Sequence, residues 1–271
     1  MLQRFCQSGL VLLSVFTLAV LFLLVSLGNW QWQRKVWKEG VIGQLKIAAM
    51  NEPLPVDLLK PRDDGTGFGV RATGSASRGR SGTRIALAKY TPVTITGRFH
   101  HDQEAYVFWT RGVAVGYLVF TPMTTESGLR IFVNRGFVPT KLKSPETRAE
   151  GQTKGLVSVK GVLIRRFNKT GLFTPQADLT SRTWYAILPK EMAVVVAEKS
   201  GLSVLTTYTI EANEAANPGG WPKGRSIAQR ISDIPNRHLG YAVTWWGLAL
   251  TLLGVYAAFV FSRLRARTGE H

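Results

Sequence analysis

Only a few residues in this chain combine type and spacing in a way that suggests chemistry. The densest group runs from Ile234-Pro235 through Asn236, Arg237, His238 and Tyr241 to Trp245 and Trp246. At about 100° per residue, a helix starting near His238 sets His238, Tyr241, Ala242, Trp245, Ala249, Leu252 and Tyr256 on one face. A histidine then heads an apolar and aromatic stripe, with the Arg237 cation at the same level. Such a face suits an amphiphilic ligand with a metal or proton partner, an apolar body and carboxylates. Haem is one, and histidine is a common axial donor to its iron. The plainer reading is an interfacial histidine above an aromatic belt and a helix-packing stripe.

Other candidates are weaker. Asn134-Arg135-Gly136 reads as a strand end and glycine turn, with Arg135 able either to grip a carboxylate in bidentate fashion or to satisfy carbonyls of the turn. His100-His101 beside Asp102 suggests a metal site, but no further ligand is forced by spacing, and exposed polar residues in a turn fit as well. Gly65–Gly69 has glycines like a nucleotide loop without a flanking strand and helix. GxSxG, HExxH and a phosphate loop with its lysine are missing, and no nucleophile–base pair stands out, so an enzyme is not expected. The only cysteine is Cys6, which excludes an intrachain disulfide and a thiolate metal cluster.

The elements that must position these residues begin and end in apolar runs. Residues 10–27 carry no charge, and Trp30 and Trp32 follow where aromatic rings favour a membrane interface. The run is too long for the core of a signal peptide and no small-residue cleavage site follows it. Residues 239–262 are also uncharged and are followed by Arg263, Arg265 and Arg267. Two spans put both termini on one side, and the arginines of the tails put that side in the cytoplasm. The expected order is a cytoplasmic tail at 1–9, a transmembrane helix at 10–29, a periplasmic domain at 30–238, a second transmembrane helix at 239–262 and a basic tail at 263–271. The location expected is a bacterial inner membrane.

With four of the 34 basic and one of the 17 acidic residues in the tails, the middle keeps 30 positive and 16 negative side chains. That field suits anionic lipid, acidic protein surfaces or carboxylate ligands, and the topology excludes nucleic acid. Residues 31–46 read as a helical extension stopped by Asn51-Glu52-Pro53-Leu54-Pro55, and residues 61–84, rich in Gly, Ser and Arg, as a flexible insertion. Strands are expected at 93–99, 104–110, 116–121, 129–133, 156–166, 184–188 and 206–210, with a turn at 122–128 and one amphipathic helix at 189–200. The fold class is therefore a two-helix membrane protein flanking a β-rich domain, a barrel or a sandwich.

Several of these segments together resemble the surfeit-locus protein 1 family of cytochrome c oxidase assembly factors. They are Leu27-Gly28-Asn29-Trp30-Gln31-Trp32-Gln33-Arg34, the strand from Val93 to Phe99, Gly116-Tyr117 with Thr121-Pro122, Val133-Asn134-Arg135-Gly136, Gly220-Trp221-Pro222, and the run from Asn236 to Trp245. Their order is that of the family and they span nearly the whole chain. The sequence departs at Phe137, where the family often has tryptophan, and at Arg237, where it often has a second asparagine. The resemblance implies a role in assembling a haem–copper terminal oxidase, with haem a bound transiently and passed to the catalytic subunit in company with other assembly factors. His238 is the implied iron ligand. Tyr241 and Trp245 are expected along the haem body, and Arg237 or Arg135 at its propionates. The alternative is a scaffold without cofactor that steadies oxidase intermediates in the lipid membrane.

Overall fold

The computed structural model describes residues 10–61, 68–70, 87, 89–165, 170–200, 204–213 and 220–266. The N-terminal tail with Arg4 and Cys6, most of the 61–84 segment and Arg267 lie outside them. The chain divides into two compact units, one of residues 1–43 with 234–271 and the other of residues 44–233.

The first unit is a pair of helices. Helix α1 is continuous over Leu10–Met50, so the apolar run and the basic segment after it form one rod of 41 residues. Pro53 and Pro55 lie just beyond its end, where a missing N–H and a fixed φ prevent another turn. Both α1 and the last helix (His238–Ala266) are long and apolar enough to cross a bilayer. The last helix carries Arg263 and Arg265 in its final turn, against the negative end of the helix dipole.

The second unit is a mixed sheet. Its strands are β1 (Leu54–Pro55), β2 (Leu59–Pro61), β3 (Phe68–Val70), β4 (Tyr90–Phe99), β5 (Ala105–Arg111), β6 (Ala114–Thr125), β7 (Arg130–Pro139), β8 (Val157–Arg165), β9 (Thr183–Trp184) and β10 (Leu205–Ala212). β2 and β3 pair separately, which gives part of the 61–84 segment strand structure rather than a loop. The main sheet runs β1-β4-β8-β10-β7-β6-β5-β9, and β4 also pairs with β6. That extra pairing closes β4, β8, β10, β7 and β6 into a ring, so the domain is a small barrel and not a sandwich. Val93, Ile95, Met123, Ile131, Val133, Val159, Leu163, Ile210 and Ala212 fill its interior, as the two-residue period of each strand dictates.

Helix α2 (Pro189–Ser200) covers the other face of the same wall. Leu188, Met192 and Val196, four residues apart, pack with Phe120, Phe132 and Trp184 in a second core. A one-and-a-half-turn helix, α3 (Ile227–Ser232), closes the unit with a capping box between Ser226 and Gln229. The helix at His238–Ala266 is α4.

Three local expectations change. The 184–188 strand shrinks to Thr183–Trp184, because Leu188 turns into the core under α2. The 122–128 turn begins only after Thr125, and Pro122 lies inside β6, opposite Phe132. Its carbonyl accepts a hydrogen bond from His100 N at 2.9 Å, on the side where β5 has ended and β4 only begins to pair. A proline there removes no ladder bond.

Asn134-Arg135-Gly136 is also no turn. It lies within β7 and forms a bulge: Phe120 pairs with Asn134 and Val119 with Gly136, with Arg135 the extra residue between them. Asn134 Oδ1 accepts from Gly136 N at 3.0 Å, and Gly136 takes φ +121°.

Candidate functional site

His238 is the first residue of α4, in the turn that follows Ile234-Pro235-Asn236-Arg237. Its Nδ1 lies 2.6 Å from Oε1 of Gln31 on α1. An amide oxygen only accepts, so Nδ1 carries the proton and Nε2 the lone pair. Below this bond the two helices run antiparallel in close contact. The rings of Trp32 and Trp246 stand 6.1 Å apart at 42°, and Ser14 Oγ meets the Tyr256 hydroxyl at 2.5 Å. Gly28 makes room for the indole of Trp246, since a Cβ there would come within 2.3 Å of its Nε1. Ala242 and Ala249, two turns apart, are buried in the seam, where small side chains let helices approach.

These contacts sort the residues singled out from sequence. His238 is half-buried and bonded across the helix pair. Trp245 is half-buried, and it is its neighbour Trp246 that stacks on α1. Tyr241 and Arg237 are exposed. Ala242, Ala249 and Tyr256 of the expected ligand stripe pack against α1.

The cations acting on His238 come from α1. Gln31, Arg34 and Lys38 share one face of that helix at spacings of three and four. Lys38 and Arg34 are the charges His238 feels most strongly. Lys38 Nζ donates to the Pro235 carbonyl at 2.5 Å, and the Arg34 guanidinium lies 4.1 Å from the Trp37 ring centre. Lys35, four residues after Gln31, is paired with Glu39 at 2.8 Å.

Arg135 belongs to the other unit. The bulge in β7 aims it into the wall of the domain, where it is 1% exposed. There it donates to Glu104 Oε1 at 3.2 Å and to the Gly151 carbonyl, and its guanidinium lies 5.0 Å from the Phe99 ring centre. Glu104 has no exposed surface. It also receives Arg148 on both oxygens, Tyr106 Oη at 3.0 Å and Thr121 Oγ1 at 3.4 Å. Burial alone would raise the Glu104 pKa. The His101 hydrogen bond and the Arg148 and Arg135 charges outweigh it and hold the carboxyl down at about 2. Arg135 is itself pulled down to about 10 by burial, with Glu104 opposing.

His100 and His101 are not exposed turn residues. Both are half-buried. His100 Nε2 lies 2.8 Å from Thr124 Oγ1, and His101 bonds the Thr153 carbonyl at 2.9 Å while its Nδ1 lies 3.2 Å from Arg135 Nη1.

Among the described residues, no three or more His, Cys, Asp or Glu side chains gather as a metal site. The donor offered by the helix pair is a single imidazole nitrogen. That set fits a metal already held in a macrocycle, which needs one axial ligand from the protein.

Sequence reasoning did not give Gln31, Arg34 or Lys38 a role. Their signal was the three- and four-residue spacing on a helix that outruns its apolar part, but their partner lies 207 residues away from Gln31. Glu104 and Arg148 were missed for a similar reason, since 44 residues separate them.

Comparison with known proteins identifies a family. A profile of the SURF1 family matches residues 18–250. A SURF1-like protein of Monosiga brevicollis is 31% identical over 242 residues, covering 85% of this chain and 80% of its own. Human Surfeit locus protein 1 is 29% identical over 240 residues, covering 82% and 69%. A SURF1-like protein of Rickettsia bellii is 28% identical over 249 residues, covering 89% and 88%. The two apolar helices, the mixed sheet between them and a match reaching from the first helix into the last make this chain a member of the SURF1 family.

Proposed function

We propose that the chain is an assembly factor for a haem–copper terminal oxidase, held in a bacterial inner membrane by α1 and α4 with its barrel domain in the periplasm. It takes up haem a as cargo and yields it to the catalytic subunit. The observation that carries the reading is His238 at the head of α4, with Nδ1 bonded to Gln31 and Nε2 left with its lone pair. When bound, haem a supplies an iron that accepts an imidazole nitrogen and two propionates that call for cations. In this reading His238 holds the metal, Trp245 and Tyr241 line the apolar body, and Arg237 takes part at the carboxylate end. The exposed ring of Tyr241 suits contact with a lipophilic cargo or with lipid. The basic face of α1 extends the same electrostatics.

The test is a visible absorption spectrum of the full chain, purified in mild detergent from cells that make haem a, beside His238→Ala. A haem a spectrum in the parent that is lost in the variant is expected. A colourless parent overturns the reading.

A second reading has an observation of its own. Ala242, Ala249 and Tyr256, three of the seven residues on the face that would meet a ligand, pack against α1 instead. This favours a scaffold that steadies oxidase intermediates without a cofactor. A parent that is colourless when purified from cells that make haem a, yet co-purifies with the oxidase subunit, selects it.

A further inference from the structure

We propose that Gln31 is the positioning residue for His238: its amide oxygen, reaching over from α1, fixes the imidazole proton on Nδ1 and turns Nε2 into the metal-binding nitrogen. The inference rests on the haem reading above and gives it a mechanism of orientation.

A neutral imidazole has one N–H and one lone pair, and unconstrained it exchanges them between its two nitrogens. With the amide oxygen turned to the ring, as in the 2.6 Å contact between His238 Nδ1 and Gln31 Oε1, the proton is held on Nδ1. A ligating histidine commonly has its second nitrogen held by an acceptor, which fixes the ring plane and raises the basicity of the donor nitrogen. Glutamine does this without charge, so it orients the ring and does not draw the proton away as a carboxylate would. Its own backbone is fixed in turn. Gly28, one turn earlier, admits the Trp246 indole, and Trp32, the next residue, meets the same ring at 6.1 Å. A close contact of the two helices therefore lies beside the acceptor that sets His238.

The first experiment needs no ligand. In the full chain in detergent micelles with 15N-labelled histidine, long-range 15N–1H correlations report the tautomer, and His238→Ala assigns the signal. The parent is expected as the Nδ1–H tautomer, and Gln31→Leu as the ordinary mixture dominated by Nε2–H. An unchanged tautomer in Gln31→Leu overturns the proposal, whatever the absorption spectrum of the parent says about haem.

The second experiment uses the haem-loaded protein. Gln31→Leu is expected to weaken haem a binding by about 10–100-fold. Gln31→Glu, a stronger acceptor of similar size, is expected to retain the haem and lower its reduction potential relative to the parent. Equal affinity in Gln31→Leu together with an unmoved potential in Gln31→Glu overturns the assignment. Near-ultraviolet circular dichroism of the Trp32–Trp246 pair checks that the helices stay together, and Gln31→Glu provides the potential readout where Gln31→Leu disturbs them.

Discussion

Arg148 meets Glu104 with both ends of its guanidinium, Nη2 to Oε2 at 2.5 Å and Nη1 to Oε1 at 3.3 Å. Arg135 approaches Oε1 from the bulge in β7. One dry carboxylate thus ties together β5, β7 and the 3-10 turns between β7 and β8. Removing its charge leaves two buried arginines facing each other.

Glu104→Gln is accordingly expected to destabilise the domain by roughly 3–5 kcal/mol, the usual cost of breaking a buried pair from one side. Denaturant unfolding of the full chain in detergent measures it. The pH dependence has a definite sign. The folded carboxyl titrates at about 2 and the ordinary value is 4.5, so its stabilisation is complete above 4.5 and is lost as pH falls towards 2. The parent should lose on the order of 3 kcal/mol across that window from this group alone. Glu104→Gln should show a correspondingly shallower acid limb.

Gly136→Ala is expected to unfold the domain at lower denaturant. Its φ of +121° is one that an L side chain rarely adopts, and a Cβ would lie 2.1 Å from the Lys223 carbonyl oxygen. The strain alone is worth about 1–3 kcal/mol, and the backbone contact adds to it. A midpoint equal to that of the parent would show that the bulge relaxes at no cost.

Gly28→Val should separate the two helices near their loop end. The added methyls would enter the Trp246 indole, a ring with nowhere to swing while it stacks on Trp32. Crosslinking of a Ser14→Cys/Tyr256→Cys pair by a bifunctional thiol reagent, in a Cys6→Ser background, reads the far end of the seam, where the two hydroxyls meet at 2.5 Å. Crosslinking should fall in Gly28→Val while domain stability holds.

The carboxylate partners of a haem can be told apart by charge removal. Arg34→Gln with Lys38→Gln should weaken haem a binding by about tenfold, since both cations act at His238. Arg135→Gln should instead cost stability and leave affinity near that of the parent, because its guanidinium is committed to Glu104 and the Gly151 carbonyl. Haem titration and denaturant unfolding of the same variants give both numbers.

What could be read from the sequence was whatever has a short period. The uncharged runs near both ends, the alternation of Val93, Ile95 and Phe99 and the helix at 189–200 all repeat within one or two turns of chain. Asn134-Arg135-Gly136 misled because a bulge and a turn draw on the same residues; which forms depends on β6 lying alongside, as the pairing of Val119 with Gly136 shows. Pro122 misled likewise, since its place in a strand is allowed only by the gap between two other strands. His238 was visible as a histidine above aromatics, but Gln31 was not, because nothing near either residue announces the other.

The bond between Gln31 and His238 also sets an order of events during synthesis. The barrel has all its strands once Ala212 has left the ribosome, and α1 is made long before. The imidazole that meets it is translated 207 residues after its glutamine and after every strand of the barrel. A nascent chain can therefore fold most of its mass with the site still lacking its donor. In the proposed reading, capture of a cargo waits until the domain that precedes His238 has been made.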